Sequence, residues 1–436
     1  MNMIAQGIIA PTPPRTLEEI GISMVTVRDL LLKTMFRTNT DTATALAQLL
    51  CIPRNLTQEM IELCRVQALI EATGTLHANS GPEMAYRLTE NGRCRALDAL
   101  AQSEYYGAVP VPLSAWREQV AMQSVRRIRM TRQRLEQAMG QLILPGGLID
   151  QLGPAAGSGR SILLYGPPGN GKSSISNGIR DALGDQIHIP RAVSHAGQII
   201  TVYDPVIHRL VAQPEMSPSA LRHPAHRADQ RYQLCRRPTV VTGGELTLDM
   251  LDLTYNPVAR TYSAPLQMKA AGGIFIIDDL GRQAEPPQKI VNRWIVPLEE
   301  GRDILALQSG EKFEVPFDTL VIFSTNFHPN QIFDKAALRR ILYKIRIDGP
   351  DRSDYLRIFD AAARRQGLAL DEAALRHLLT VKYPSIGDVY ASYQPMFLID
   401  QMLSICDFEG LPPRMSIELV DRAWENLFVT EAAIEH

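Results

Sequence analysis

The chain has 436 residues, 45% of them hydrophobic, which bounds it to a globular protein of two to four domains. Its 45 basic and 47 acidic side chains leave a net charge of −2, which excludes a strong global preference for polyanions. The five cysteines (Cys51, Cys64, Cys94, Cys235, Cys406) are scattered without a Cys-x-x-Cys, a pattern of a reducing cytoplasm rather than of a disulfide framework or zinc site, and no apolar run approaches the roughly 18 residues of a membrane span.

Residues 1–25, punctuated by Pro11, Pro13 and Pro14, read as a flexible arm. They lack the basic start and long apolar run of an export signal. Three helical patterns follow. Residues 27–36 carry Leu30, Leu31 and Met35; residues 41–50 have Asp41 as a cap and end before Pro53; residues 55–72 repeat Leu56, Met60, Leu63 and Ile70 at helical spacing. A turn-rich stretch at 74–82 and a short strand at 84–88 lead to Thr89, a natural N-cap for a helix to about Ala101. Three helices, a hairpin and a closing helix over 26–105 resemble a winged-helix domain, with residues 86–92 similar to the wing strand and helix start of bacterial winged-helix regulators. The resemblance implies either DNA binding or protein docking. Residues 26–105 hold eight Lys/Arg against nine Asp/Glu, and the third helix carries Glu59, Glu62 and Glu71 against Arg65. Tight DNA binding needs several phosphate-neutralising cations, so this balance favours protein docking and leaves DNA possible but not favoured.

Residues 106–145 read as a linker, Pro-rich at 107–116, with a helix from about Ser114 to Leu142. That helix carries Arg126, Arg127, Arg129, Arg132 and Arg134, a cluster that suits a solvated face or an inter-subunit contact better than nucleic acid.

An apolar strand at 162–165 then enters Gly166, Pro167, Pro168, Gly169, Asn170, Gly171, Lys172, Ser173 and Ser174. This fits G-x-x-x-x-G-K-[ST] in the strand–loop–helix context the motif requires. Glycines let backbone N–H groups turn inward around a phosphate, and the following helix N-terminus adds partial positive charge. Lys172 is placed to reach the β- and γ-phosphates and the Ser173 hydroxyl to ligate Mg²⁺. ATP with Mg²⁺ is the expected cofactor pair.

Strand candidates at 187–189 and 198–203 precede a polar stretch at 204–240, whose His223 and His226 lack further ligands at metal spacing and read as loop histidines. Residues 272–279 form a buried strand pattern ending in two acids, Asp278 and Asp279, at the strand end where open α/β sheets hold ligands. The segment resembles a Walker B element, which implies that Asp278 holds the Mg²⁺ shell. Residues 319–326 form a third buried strand ending in Asn326, followed by 334–340 and a last strand at 343–347.

These four motifs, in this order, resemble the AAA+ ATPases over residues 141–436. The resemblance implies an α/β fold: an AAA+ P-loop core with a parallel sheet at 146–348, a C-terminal helical lid at 349–436, and the small winged-helix-like α+β domain in front. It implies that Asn326 is sensor 1, orienting the lytic water, and that Arg339 or Arg340 is a finger inserted at a neighbouring subunit's γ-phosphate. Asp279 stands where most relatives carry the glutamate that polarises water. Residues 278–283, 287–294 and 297–301, with a hairpin at 303–307 and 312–315, resemble MoxR-type ATPases and bacterial enhancer-binding activators. The sigma-factor-contacting loop of those activators is absent. Lys172 and Asp278 are 106 positions apart; the excess, at about 204–270, is an insertion suited to line a pore or cap the site. No arginine stands at 393–396, where a sensor 2 residue is expected, and Arg414 is its nearest substitute.

The expected function is a cytoplasmic, Mg²⁺-dependent ATPase that forms a homo-oligomeric ring, by resemblance a hexamer, and remodels or assembles a protein partner. The alternatives are a DNA-associated regulatory ATPase and a hydrolysis-poor nucleotide switch, the latter because aspartate is one methylene shorter than glutamate.

Overall fold

The structure is a computed structural model describing residues 9–78, 81–211 and 228–428. His223 and His226 lie outside them. The chain divides into two units, one formed by 1–128, 184–276 and 283–321, the other by 129–183, 277–282 and 322–436.

The first unit begins with helices Met24–Thr38, Ala43–Leu50 and Arg54–Val66, a hairpin pairing Ile70–Ala78 with Gly81–Leu88, and helix Glu90–Gln102. Leu30, Leu31, Leu46, Leu56, Met60 and Ile61 share one buried core. Thr42, rather than Asp41, caps the second helix, accepting from the Ala45 N–H. The third helix stops at Val66, short of position 72, because Ala68 takes a left-handed φ of 54° and the chain turns into the Ile70 strand. Thr89 caps the closing helix, its hydroxyl accepting from the Gly92 N–H at 3.0 Å.

Two sequence expectations are corrected in this unit. The described part of the N-terminal arm is packed: Leu17 and Ile20 belong to the same core, and Pro11 O accepts from the Asp229 N–H at 2.8 Å. The stretch read as a linker is built into the fold as well. Val111–Pro112 pairs in parallel with the Ala192–His195 strand, and Trp116 is buried. The long helix expected over 114–142 is interrupted. Helix Leu113–Met122 ends where the Ser124 hydroxyl and Val125 N–H both turn to the Asp318 carboxylate, and helix Arg132–Ala138 restarts under a Thr131 cap.

Strands of the insertion pair with strands outside it. Strands Thr254–Asn256, Thr261–Ser263, Gln198–Thr201, Ala192–His195 and Val111–Pro112 make one five-stranded sheet in that order, and Gln186–Pro190 pairs with Tyr232–Arg236. The hairpin of Arg302–Ala306 and Lys312–Pro316 alternates buried Leu305, Phe313 and Val315 with exposed residues, as a half-buried ribbon must. Its turn is held by the Gln308 N–H on the Tyr262 hydroxyl at 3.0 Å.

A parallel five-stranded sheet takes the order Tyr343–Arg346, Ser161–Tyr165, Leu320–Thr325, Ile274–Ile277, Thr239–Thr242. The fold class is therefore α/β, with C-terminal helices. In the second unit, strand Tyr343–Arg346 pairs in parallel with Ser161–Tyr165, whose residues 161–164 are buried. Helix Lys172–Leu183 follows that strand and buries Ile175 and Ile179. The C-terminal part of this unit consists of helices Arg352–Gln366, Glu372–His377, Gln394–Glu409 and Ile417–Leu427 around Tyr355, Phe359, Tyr383, Met402 and Trp424. Asp351, Asp371 and Ser416 cap three of them. No helix of the described residues is long and apolar enough to cross a membrane.

Candidate functional site

The turn after strand Ser161–Tyr165 is shaped by its glycines. Gly166, Gly169 and Gly171 have φ of 142°, 77° and 79°, values that L side chains rarely adopt. Gly166 is constrained a second time, since a Cβ there would overlap the Ile347 carbonyl. The helix then begins at Lys172, which places the lysine and Ser173 at its first turn.

Lys172 is 6% exposed, and its ammonium donates to Gly166 O and Pro167 O, each at 2.9 Å. Burial pulls its pKa below the usual lysine range, against the opposing pull of Asp279 and Asp278. The ammonium thus rests on carbonyls of its own loop, a neutral pairing that an anion can displace.

The Ser173 hydroxyl donates to Asp278 Oδ2 at 2.7 Å. The Asp279 N–H donates to Asp278 Oδ1 at 3.1 Å, and Asn326 Nδ2 donates to Asp279 Oδ1 at 2.9 Å. Two links brace the strand ends that carry these groups: Leu280 N–H to Ser324 O and Thr325 hydroxyl to Leu280 O, both 2.7 Å. Glycine loop, lysine, hydroxyl, two carboxylates and amide therefore converge on one cavity of about 1090 Å³. Leu142, Ile143, Leu144, Ile358 and Met396 add apolar side chains to its lining. Such a cavity suits a ligand with an anionic end and a flat apolar end.

Pro168, Gly169, Asn170, Gly171, Lys172, Ser173, Ser174, Asp278, Asp279 and Asn326 all line it; Arg339 and Arg340 do not. Both arginines lie on the short helix Lys335–Arg340, capped by Asp334. Arg339 is exposed, whereas the Arg340 guanidinium donates to Ala336 O and its carbonyl accepts from the Ser161 hydroxyl. Arg414, the substitute expected for a missing sensor 2 arginine, pairs with Asp371 at 3.2 Å and is no part of the lining. Two other arginines do line the cavity, Arg282 and Arg365. Arg365 sits in the last turn of helix Arg352–Gln366. The signal for it was compositional only, a basic pair closing a helix, and it does not reveal which way the turn faces.

Among the described residues no group of three or more His, Cys, Asp or Glu side chains could hold a metal ion. The oxygen pair of Ser173 and Asp278 fits a hard divalent cation held chiefly by other ligands. Adjacent vertices of an octahedron with Mg²⁺–O bonds of 2.0–2.1 Å are about 3 Å apart, close to the 2.7 Å between these oxygens.

A family model matches residues 351–426. It is described as a domain of unknown function. No curated protein matches. Among solved structures, the chain is similar to the Thermotoga maritima RuvB Holliday junction branch migration motor, with 13% identity over 72% of this chain and 76% of that one, at a TM-score of 0.36. It is also similar to NtrX from Brucella abortus in complex with ATP, with 14% identity over 78% of this chain and 65% of that one, at a TM-score of 0.38.

Proposed function

We propose that the chain is a Mg²⁺-dependent ATPase of the AAA+ superfamily, working as a homo-oligomeric ring, by resemblance a hexamer, that remodels or assembles a protein partner. The observation that carries this reading is the Ser173–Asp278 contact beside a loop whose lysine is held on loop carbonyls. That pair supplies the two protein oxygens a phosphate-bound Mg²⁺ needs.

In this reading the glycine loop binds the polyphosphate, and Lys172 exchanges its two carbonyls for phosphate oxygens. Mg²⁺, when bound, neutralises charge on the β- and γ-oxygens. Asp279 accepts a proton from the attacking water, and Asn326 orients both. Leu142, Ile143 and Leu144 exclude water around the base. The exposed Arg339 reaches a neighbouring subunit's site, where its guanidinium stabilises charge on the transferred group. The need for that residue in trans is the reason for a ring.

The protein-partner part rests on the third N-terminal helix. Glu59, Leu63 and Val66 lie along its exposed side, Val66 at 87% exposure. An acidic and apolar stripe suits a protein surface and repels phosphates.

The test is steady-state ATP turnover as a function of protein concentration with Mg²⁺. A specific rate that rises with concentration supports composite sites. ATP binding without turnover at any concentration replaces the enzyme with a nucleotide switch, for which the engagement of Asp279 by Asn326 is the structural ground. Absence of ATP binding overturns both.

A further inference from the structure

The last two helices meet in a corner that is both apolar and rigid. Phe408, in the last turn of helix Gln394–Glu409, is 89% exposed. Leu411, Pro412 and Pro413 in the connection are exposed, as is Ile417, the first residue of helix Ile417–Leu427. Single apolar side chains on a surface need no explanation, but five within ten positions do. The exposure is not that of a loose end. Gly410 takes φ 67° and its N–H closes the helix on Cys406 O, to which the Leu411 N–H also donates at 2.9 Å. The Ala369 N–H donates to Pro413 O at 2.9 Å and the Met415 N–H to Ala369 O at 2.8 Å, and Met415 is buried. The Ser416 hydroxyl caps the second helix, accepting from the Leu419 N–H at 3.2 Å. A corner held in this way presents its side chains with little ordering left to be done on binding.

Charge around the corner has one sign. Residues 394–428 hold six acidic side chains against two basic ones, whereas 351–393 hold six of each. Both basic side chains of the first stretch are spent: Arg414 pairs with Asp371 at 3.2 Å and Arg422 with Glu409 at 2.7 Å. Asp407 and Glu418, next in sequence to Phe408 and Ile417, are exposed. We propose that this corner is a docking surface for a positively charged segment of a partner protein, whose apolar side chains cover Phe408, Leu411 and Ile417 and whose basic ones face Asp407 and Glu418. Complementary charge of this kind selects the partner and speeds its arrival. The acidic rim repels the phosphates of nucleic acid and of anionic membranes. In a two-fold contact between copies of this chain the rim would face itself. The inference stands on the C-terminal helices alone and needs neither the nucleotide reading nor the third N-terminal helix.

The experiment is a fluorescence-anisotropy titration of the full chain against a labelled Leu/Lys peptide with leucine at helical spacing, and against the same pattern written in Leu/Glu. The native chain should bind the Leu/Lys peptide and hold the Leu/Glu peptide more weakly by on the order of tenfold or more. Phe408→Ser and Leu411→Ser should each weaken the Leu/Lys complex on the order of tenfold, as loss of a residue that carries binding does. Both side chains face solvent, so these variants keep the core intact, and a thermal melt checks that they do. Asp407→Asn combined with Glu418→Gln should flatten the salt dependence of binding. Val381→Ser, at an apolar side chain 53% exposed outside the corner, should match the native chain. Native-like affinity in both serine variants overturns the proposal, as does equal binding of the two peptides or no binding of either. Native-like affinity together with a smaller assembly in sedimentation gives the corner to a second copy of this chain instead.

Discussion

Asn326 Nδ2 donates to Asp279 Oδ1 across 2.9 Å, and Asp279 holds that position from a left-handed backbone, φ 49°. Few residues accept such a conformation; Asn and Asp do so most readily, because their short polar side chains bond locally. Position 279 therefore constrains the backbone as well as the chemistry. A glutamate there would carry its carboxylate one methylene further from the backbone.

Asp279→Asn separates the two constraints, since it keeps the size and the tolerated backbone and removes the proton acceptor. Nucleotide affinity should stay within about threefold, while turnover should drop by roughly 100-fold or more, the usual worth of a general base. Titration with a labelled nucleotide and a phosphate-release assay on the same sample check this. Retained turnover removes Asp279 from the role of base.

The two candidate finger arginines should behave differently. Arg339 is exposed, and the Arg340 guanidinium and carbonyl are both spent on neighbouring backbone and side chain. Arg339→Ala is expected to keep nucleotide binding and lose turnover, and mixing it with Asp279→Asn subunits should restore part of the activity, because each supplies what the other lacks. Arg340→Ala is expected to lower the unfolding temperature first. Confirmed mixed rings without rescue would falsify an arginine acting in trans.

How much of this was legible from the sequence divides by range. Strands Ser161–Tyr165, Ile274–Ile277 and Leu320–Thr325 announce themselves by unbroken apolar runs, and the glycine loop by residues that no other local structure needs. The 302–316 hairpin shows the period-two pattern around its turn. Longer-range facts were hidden. Nothing local in 107–116 says that Val111 pairs with Val193, more than 80 positions later. The break after Met122 depends on Asp318, a carboxylate far along the chain that draws the Ser124 and Val125 donors out of helical register. Arg365 was missed for the same reason, since helical periodicity gives a face but not its neighbour.

Lys33 gives the chain a pH dependence unrelated to the site. It is 4% exposed on helix Met24–Thr38, its ammonium donates to Ser103 O at 3.0 Å, and burial, partly offset by Asp29, lowers its pKa to about 8. The unfolded value is about 10.4. The unfolded chain therefore holds the proton more tightly, and the cost of burying the charge is fully present below pH 8 and fades as pH rises towards 10. From pH 7.5 to 9.5 this residue should add about 2 kcal/mol to stability. Urea unfolding of the native chain and Lys33→Met at both pH values isolates the effect: the native chain should gain that much more than the variant over this interval. Parallel pH profiles would mean that the Lys33 amine keeps its ordinary pKa in the folded state.

Arg365 carries the last prediction. Unlike Arg357, Arg364 and Arg376, which pair with Asp354, Asp360 and Glu372, its guanidinium meets only the Met396 sulfur, at 4.0 Å, among the described residues, while lining the cavity that holds Lys172. Its donors are free to be spent on a ligand. A charge-assisted hydrogen bond to phosphate contributes about 1.5–3 kcal/mol, so Arg365→Ala should weaken ATP binding on the order of 10- to 100-fold. Arg365→Lys should recover only part of that, because an ammonium lacks the planar fork. The loss should shrink for AMP, whose single phosphate stays closer to the base. An equal loss for ATP and AMP would instead place Arg365 at the base or ribose, and unchanged affinity for both would leave it a solvent-facing residue of the helix.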